Sequence, residues 1–157
     1  MAVQKQLSLR LATQFLQGKI MSQQLAHEMV IGADIDTTLA SCESRILVTS
    51  HRAFAYLAHR AKLTQVAISG VNPEQEPSAK SLETIATFAE QNKVNTIFFE
   101  ILLPKDLAET LADKVGAVAK VLDPIEGLTG DEIANGATYV SIQRENLQQI
   151  SQGLRCS

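Results

Sequence analysis

The fold class is decided by residues 46–69, which read ILVTSHRAFAYLAHRAKLTQVAIS. They begin with Ile46–Thr49, a short apolar and β-branched run that predicts a buried strand. Apolar side chains then recur at helical spacing, and Gln65–Ser69 is a second strand-like run. The stretch therefore predicts a strand, a helix and a strand, which is the repeating unit of a parallel sheet.

The same alternation continues to the end of the chain. Ser78 is a candidate N-cap for the next helix, and Gly116 stands where a glycine would end another one. Val94–Phe99 and Ala117–Leu122 predict two more strands, and a Pro/Gly loop separates the last of them from a final helix at about 138–154. We therefore predict an α/β fold with an open, mostly parallel four-stranded sheet and helices on both faces.

The beginning of the chain has a different pattern. Residues 1–44 carry apolar side chains at mixed spacing that is nearer to helical than to alternating, so we predict a helical segment there. The α/β lobe is predicted over residues 45–157, in which no internal repeat is found. The sequence thus predicts a helical segment followed by one domain.

Composition and charge exclude several classes of protein. The chain has 157 residues, 45% of them hydrophobic and 20% charged, which is typical of a globular protein. A net charge of −3 without a basic run gives no electrostatic footprint for nucleic acid. No run approaches the roughly 18 apolar residues of a membrane span, and the N-terminus does not read as a signal peptide. We therefore expect neither a nucleic-acid partner nor a membrane-spanning segment.

Two cysteines, Cys42 and Cys156, lie far apart and belong to no C-x-x-C motif. This excludes a structural zinc site built from cysteines. Their spacing alone leaves open two free thiols or one long-range disulfide.

Polar side chains follow the predicted strands at the points where the strands end. Ser50 and His51 follow the first strand, Glu100 follows the third, and Asp123 follows the fourth. Ligands of open parallel sheets bind beyond the carboxyl ends of the strands, so these side chains should share one edge. Imidazole and carboxylate groups together suit zinc or manganese. The sequence therefore predicts a metal site at this edge.

Two other interpretations of these residues stay open. His51 could be an N-terminal helix residue hydrogen-bonded to the loop, with Glu100 and Asp123 acting as helix N-caps and nothing bound. Alternatively, Ser50, His51 and Asp123 contain the ingredients of a hydrolase triad, although the sequence has no G-x-S-x-G motif. A small hydrolase, metal-dependent or of the Ser/His type, is therefore the alternative function.

Val48–Leu57, VTSHRAFAYL, resembles the T-x-H-x-A-F-x-Y-L/F segment of the zinc- and manganese-binding receptors of bacterial ABC importers, the ZnuA/TroA-like solute-binding proteins. Three further segments are similar in order and spacing, namely Ile68–Ser78, Ile97–Glu100 and Val121–Leu128. The resemblance covers residues 40–157. It implies two α/β lobes joined by a long helix, with the metal between the lobes.

The resemblance implies that this chain is the C-terminal lobe of such a receptor and that residues 1–44 correspond to the end of the connecting helix. Carried over by position, the metal ligands are His51 and Asp123. Glu100 matches a family acid near the site, which orients a ligand or balances charge and is also a possible ligand. Because the two histidine ligands of the first lobe have no counterpart here, the resemblance implies a half-site that binds zinc weakly unless a second copy completes it.

The function that the resemblance implies is metal-ion binding for transport, with no reaction catalysed. Zinc is favoured over manganese because imidazole is the better ligand for zinc, and the expected partner is an ABC permease. Such receptors work outside the cytoplasmic membrane, in the periplasm or at the cell surface, where disulfides persist. The resemblance therefore favours a disulfide between Cys42 and Cys156.

Overall fold

The computed structural model of the protein contains a four-stranded sheet and describes residues 31–69, 77–100, 106–125 and 128–157. The strands lie in the order β2-β1-β3-β4, and every neighbouring pair is parallel. Their bounds are Ile46–Thr49 (β1), Thr64–Ala67 (β2), Thr96–Glu100 (β3) and Val118–Leu122 (β4). The predicted open parallel sheet is thereby confirmed.

Helices connect the strands, and two helices follow the last strand. Residues 31–38 are helical (α1), and they are followed by Ala55–Arg60 (α2), Ala79–Gln91 (α3), Asp106–Val115 (α4), Gly130–Ala134 (α5) and Tyr139–Leu154 (α6). Within the described ranges, no helix is long and apolar enough to cross a membrane.

The chain divides into two compact units, Met1–Ala33 and Asp34–Ser157, and the whole sheet belongs to the second unit. Most of the predicted helical segment 1–44 lies outside the described residues. Its correspondence to the end of a connecting helix therefore stays a prediction.

Two predicted helix ends, the start of α3 and the end of α4, are confirmed, and one short helix was not predicted. The Oγ of Ser78 accepts a hydrogen bond from the N–H of Ser81 at 3.1 Å, which caps α3 as expected. Gly116 ends α4 with a φ of 68°, a conformation that favours glycine. The prediction of a loop after β4 missed α5, which begins with a reciprocal capping box between Thr129 and Glu132. The T-x-x-E spacing was visible in the sequence, but the helix has only 5 residues and no apolar periodicity.

Helices cover both faces of the sheet, as predicted. On one face, α3 and α4 pack with Val48 and Ile97 in a continuous apolar core. On the other face, Gly153 near the end of α6 lies against the side chains of Phe98 and Thr96. Neighbouring residues of a strand point to opposite faces, so Ile97 and Phe98 serve different helix layers.

We expect Gly153→Ala to lower the free energy of unfolding by about 1–2 kcal/mol. An added Cβ would lie 2.6 Å from Cζ of Phe98 and 3.0 Å from Cγ2 of Thr96, and Phe98 is fully buried. This overpacking outweighs the gain of roughly 1 kcal/mol in helix propensity. Urea denaturation measures the change, and Gly130→Ala is the matched control because nothing lies within 4 Å of its added Cβ. Equal stability of the two variants would contradict the prediction.

A covalent link joins the stretch before β1 to the end of α6. Cys42 and Cys156 form a disulfide and also face each other in an isolated antiparallel bridge. Next to it, the N–H of Glu43 donates to the carbonyl of Arg155, and the N–H of Ser44 donates to that of Leu154, both at 3.2 Å. The predicted disulfide is confirmed, and the free-thiol alternative is wrong.

Candidate metal centre

His51, Glu100 and Asp123 each follow a strand of the sheet or end it. β1, β3 and β4 are consecutive neighbours, so these residues occupy the carboxyl-terminal edge as predicted. All three are buried, with exposed fractions of 3%, 2% and 5%. Burial of three ionisable side chains at one edge is costly unless each charge is balanced by a partner.

The Glu100 carboxylate holds His51 at two points. Its Oε1 accepts a hydrogen bond from the main-chain N–H of His51 at 3.1 Å, and its Oε2 forms an ion-pair contact with the ring Nδ1. In a neutral ring, a proton on Nδ1 leaves the lone pair on Nε2. Glu100 therefore fixes the orientation of the imidazole and selects Nε2 as the atom that would meet a metal.

Two further polar side chains, Thr49 and Gln65, hold the main chain of His51. Oγ1 of Thr49 donates to the His51 carbonyl at 2.7 Å. Nε2 of Gln65 on β2 donates to Oγ1 of Thr49 at 2.8 Å and to the same carbonyl at 3.3 Å. Neither residue was predicted from the sequence. The available signal was the polarity of Thr49 at the end of an otherwise apolar strand, whereas Gln65 stands beside Thr64 and was not distinctive.

The two carboxylate oxygens of Asp123 differ in their contacts. Oδ1 accepts a hydrogen bond from the N–H of Ile125 at 2.7 Å. Oδ2 is buried and receives no hydrogen bond from a donor in the part of the chain that the structure describes, while the Glu132 carboxyl group lies within hydrogen-bonding reach of the Asp123 carboxyl group. Burial raises the pKa of Asp123, the Ile125 hydrogen bond opposes this shift, and the nearby carboxylates of Glu132 and Glu145 add to it. Among the described residues, the site thus contains an acid whose charge is raised in energy by burial and by neighbouring acids and is not balanced by an ion pair with a cationic side chain.

The structure does not gather the predicted residues into one complete site. Among the described residues, no three side chains of His, Cys, Asp or Glu are grouped so that they could hold a metal ion together. His51 and Glu100 touch, whereas Asp123 lies at the end of a strand two places from β1 in the sheet. Glu126, which follows Asp123 in the sequence motif, lies outside the described residues.

The interpretation of His51 as an N-terminal helix residue and of Asp123 as a helix cap is wrong. α2 begins at Ala55, so His51 precedes it, and the carboxylate of Glu100 is bound to His51. Thr129, not Asp123, caps α5. His51 therefore contacts Glu100, and Asp123 contacts the loop main chain at Ile125.

A family model described as ZnuA, zinc-uptake complex component A, periplasmic, matches residues 24–153. The chain belongs to the ZnuA family. The match includes His51, Glu100 and Asp123 and every described strand.

Individual proteins similar to this chain agree with this assignment. The high-affinity zinc uptake system protein ZnuA of Bacillus subtilis (strain 168) is 40% identical over 118 residues, which are 75% of this chain and 37% of that protein. The metal-dependent lipoprotein YcdH from Bacillus subtilis has a TM-score of 0.70 at 36% identity, over 87% of this chain and 52% of that one. A Zn(II)-bound mutant variant of AdcAII of Streptococcus pneumoniae has a TM-score of 0.70 at 34% identity, over 80% and 44%. The chain thus spans 37% of the curated relative and about half of the solved structures.

The hydrolase alternative receives no support from the ZnuA family assignment or from the position of Ser50. The Oγ of Ser50 donates to the carbonyl of Phe98 at 3.4 Å, and its N–H donates to the same oxygen at 2.9 Å. The hydroxyl is thereby directed at the main chain of β3. A serine nucleophile needs its hydroxyl on the imidazole of the base instead.

Proposed function

We propose that this chain is the zinc-binding C-terminal lobe of a receptor that serves an ABC importer. The observation that carries the proposal is the contact between the Glu100 carboxylate and Nδ1 of His51. Histidines that bind metal almost always donate their other ring N–H to a carboxylate, a carbonyl or water. His51 then binds zinc through Nε2, and Glu100 orients the ring without itself being a ligand.

Asp123 is the second proposed ligand. Its buried Oδ2 receives no hydrogen bond from a donor in the described ranges, and both burial and the neighbouring Glu132 carboxyl group disfavour its charge. A divalent cation beside this oxygen would offset that cost, because a cation favours the ionised form of a neighbouring carboxyl. Asp123, which forms no ion pair with a described cationic side chain, would gain a charge partner when zinc binds.

Two protein ligands make half of a tetrahedral zinc site. Tight sites hold zinc with four preformed ligands, or with three and a water molecule. We therefore expect this chain alone to bind zinc with a Kd weaker than about 1 µM. The remaining ligands would come from the rest of the receptor or from a second copy of this chain.

The relatives support zinc as the cargo and a location outside the cytoplasmic membrane, and a permease partner suits a family described as one component of a zinc-uptake complex. One relative is named for zinc uptake, and a solved relative is Zn(II)-bound. The family description includes the word periplasmic, and another solved relative is a lipoprotein. The Cys42–Cys156 disulfide suits such an oxidising compartment. Imidazole favours zinc over manganese, and a receptor of this kind binds its cargo without catalysing a reaction.

Titration calorimetry on chelator-treated protein tests the proposal, with zinc chloride and manganese chloride as separate ligands. We expect weak zinc binding by the wild type, weaker manganese binding, and no zinc binding by His51→Ala. His59→Ala is the matched control because His59 is an exposed residue of α2. Mass measurement in the same buffer separates binding by one chain from binding by a dimer. Zinc affinity that survives His51→Ala would overturn the proposal.

Asp123→Asn is expected to lower zinc affinity without lowering the stability of the folded chain. The amide keeps the oxygen that accepts from Ile125 but loses the charge, so zinc affinity should fall at least tenfold. Burial raises the pKa of Asp123, so the ionised side chain destabilises the folded state above that pKa, and the neutral amide removes this penalty. Thermal unfolding in chelator should therefore show a melting temperature equal to or above that of the wild type. A clear loss of stability together with unchanged zinc affinity would refute this role for Asp123.

A further inference from the structure

Asn146 lies in the middle of α6 and is buried, with 3% of its surface exposed. Its side chain forms two hydrogen bonds, both with the main chain of Asp123. Oδ1 accepts from the N–H of Asp123 at 2.8 Å, and Nδ2 donates to the carbonyl of Asp123 at 2.6 Å. One amide group therefore satisfies both main-chain polar groups of a proposed zinc ligand.

This contact begins where the sheet ends. Among the described residues, the last paired residues of β3 and β4 are Glu100 and Leu122, and Asp123 directly follows β4. The amide of Asn146 offers one acceptor and one donor, and these match the N–H and the C=O of Asp123. Without it, the buried N–H and C=O of Asp123 would lose these partners, which is costly.

The chain immediately after Asp123 is strained, which gives the contact a second consequence. Ile125 has a φ of 62°, a left-handed conformation that β-branched residues rarely adopt. Such a conformation persists only where surrounding contacts fix it. Two sets of contacts do so here: the bond from the Ile125 N–H to Oδ1 of Asp123, and the two bonds between Asp123 and Asn146. The first leaves Oδ2 as the oxygen that can face a metal.

We propose that Asn146 is a positioning residue of the zinc site, which acts through Asp123 without contacting the metal. It fixes the main chain at the end of β4, so that the Asp123 carboxylate keeps one oxygen on Ile125 and presents the other to zinc. This inference rests on the proposed function. It adds that a residue of α6, and not only the residues at the strand ends, determines zinc affinity.

The experiment compares zinc affinity and unfolding free energy in three variants of the whole chain. Asn146→Leu keeps the branched shape and removes both hydrogen bonds, whereas Asn146→Gln keeps the amide on a longer side chain. Thr96→Val is the matched structural control. It removes a buried hydrogen bond between β3 and α6, in which Oγ1 of Thr96 donates to the carbonyl of Gly153 at 3.2 Å. Thr96 lies at the opposite end of β3 from Glu100.

We expect Asn146→Leu to weaken zinc binding at least tenfold, Asn146→Gln to restore part of the affinity, and Thr96→Val to bind zinc like the wild type although it is less stable. In the background of Asp123→Asn, Asn146→Leu should cause no further loss of affinity. The amide of Asp123 should also exchange hydrogen faster in Asn146→Gln than in the wild type, a readout that remains available where Asn146→Leu does not fold.

The outcomes distinguish this inference from the proposed function. Wild-type affinity in Asn146→Leu, or a further loss on top of Asp123→Asn, overturns the positioning role while leaving zinc binding in place. If Asn146→Leu does not fold, wild-type affinity and wild-type amide exchange in Asn146→Gln overturn the role in the same way. Absence of zinc binding by the wild type overturns the proposed function and this inference together.

Discussion

Reduction of the Cys42–Cys156 disulfide is expected to lower the free energy of unfolding by about 4–5 kcal/mol. The two cysteines are separated by 114 residues, so the link restricts nearly the whole α/β lobe in the unfolded state. The nearby ion pair between Arg155 and Glu43 would stabilise the reduced protein only weakly, because both side chains are largely exposed. For a domain of this size the loss corresponds to a decrease of about 10 °C or more in melting temperature.

Thermal unfolding with and without a reductant measures this effect, and thiol counting on denatured protein verifies the redox state. The unreduced protein should show no free thiol at these two positions, and the reduced protein should show two. Zinc affinity should not change, because the disulfide lies before β1, at the opposite end of that strand from His51. Equal melting temperatures in the two redox states would contradict the prediction.

Glu100→Leu is expected to lower zinc affinity by about 10- to 100-fold, the usual effect of removing a group that orients a metal ligand. The same change should lower the free energy of unfolding by about 3 kcal/mol, because it leaves buried polar groups of His51 without their carboxylate partner. Calorimetry with zinc and urea denaturation in chelator measure the two effects separately.

Glu100→Gln is the control for size and shape. Its amide oxygen can accept from the main-chain N–H of His51 or from the ring, but not from both in the original geometry. Zinc affinity and stability should therefore fall between those of the wild type and Glu100→Leu. A Glu100→Leu variant with wild-type zinc affinity would show that Glu100 does not orient the ligand.

Much of the fold could be predicted because the strands are short apolar runs bounded by helical periodicity. Ile46–Thr49 matches β1 at both ends, and the predicted final helix matches α6 closely. α5 was missed because its 5 residues carry no apolar stripe, and only the capping pair Thr129 and Glu132 marked it. The Cys42–Cys156 pairing was not determined by spacing and came from the family resemblance.

The strand-end residues of the site could be predicted because parallel strands bring their carboxyl ends to one edge. Contacts around them could not be predicted in the same way. Gln65 and Asn146 act on main-chain groups of His51 and Asp123, and a hydrogen bond to the main chain leaves no pattern of paired side chains in one sequence. The role of His51 and Asp123 as zinc ligands remains a prediction.

The central claim is that zinc binds Nε2 of His51 while Glu100 holds the proton on Nδ1. Nitrogen-detected NMR of the histidine rings during zinc titration tests it most directly, and the other histidines among the 3 in the chain, His27 and His59, serve as internal references. We expect zinc to shift the Nε2 resonance of His51 to the metal-bound range, to leave Nδ1 protonated, and to leave His59 unchanged. Zinc binding that leaves the His51 ring unchanged, or that displaces the proton from its Nδ1, would contradict the account.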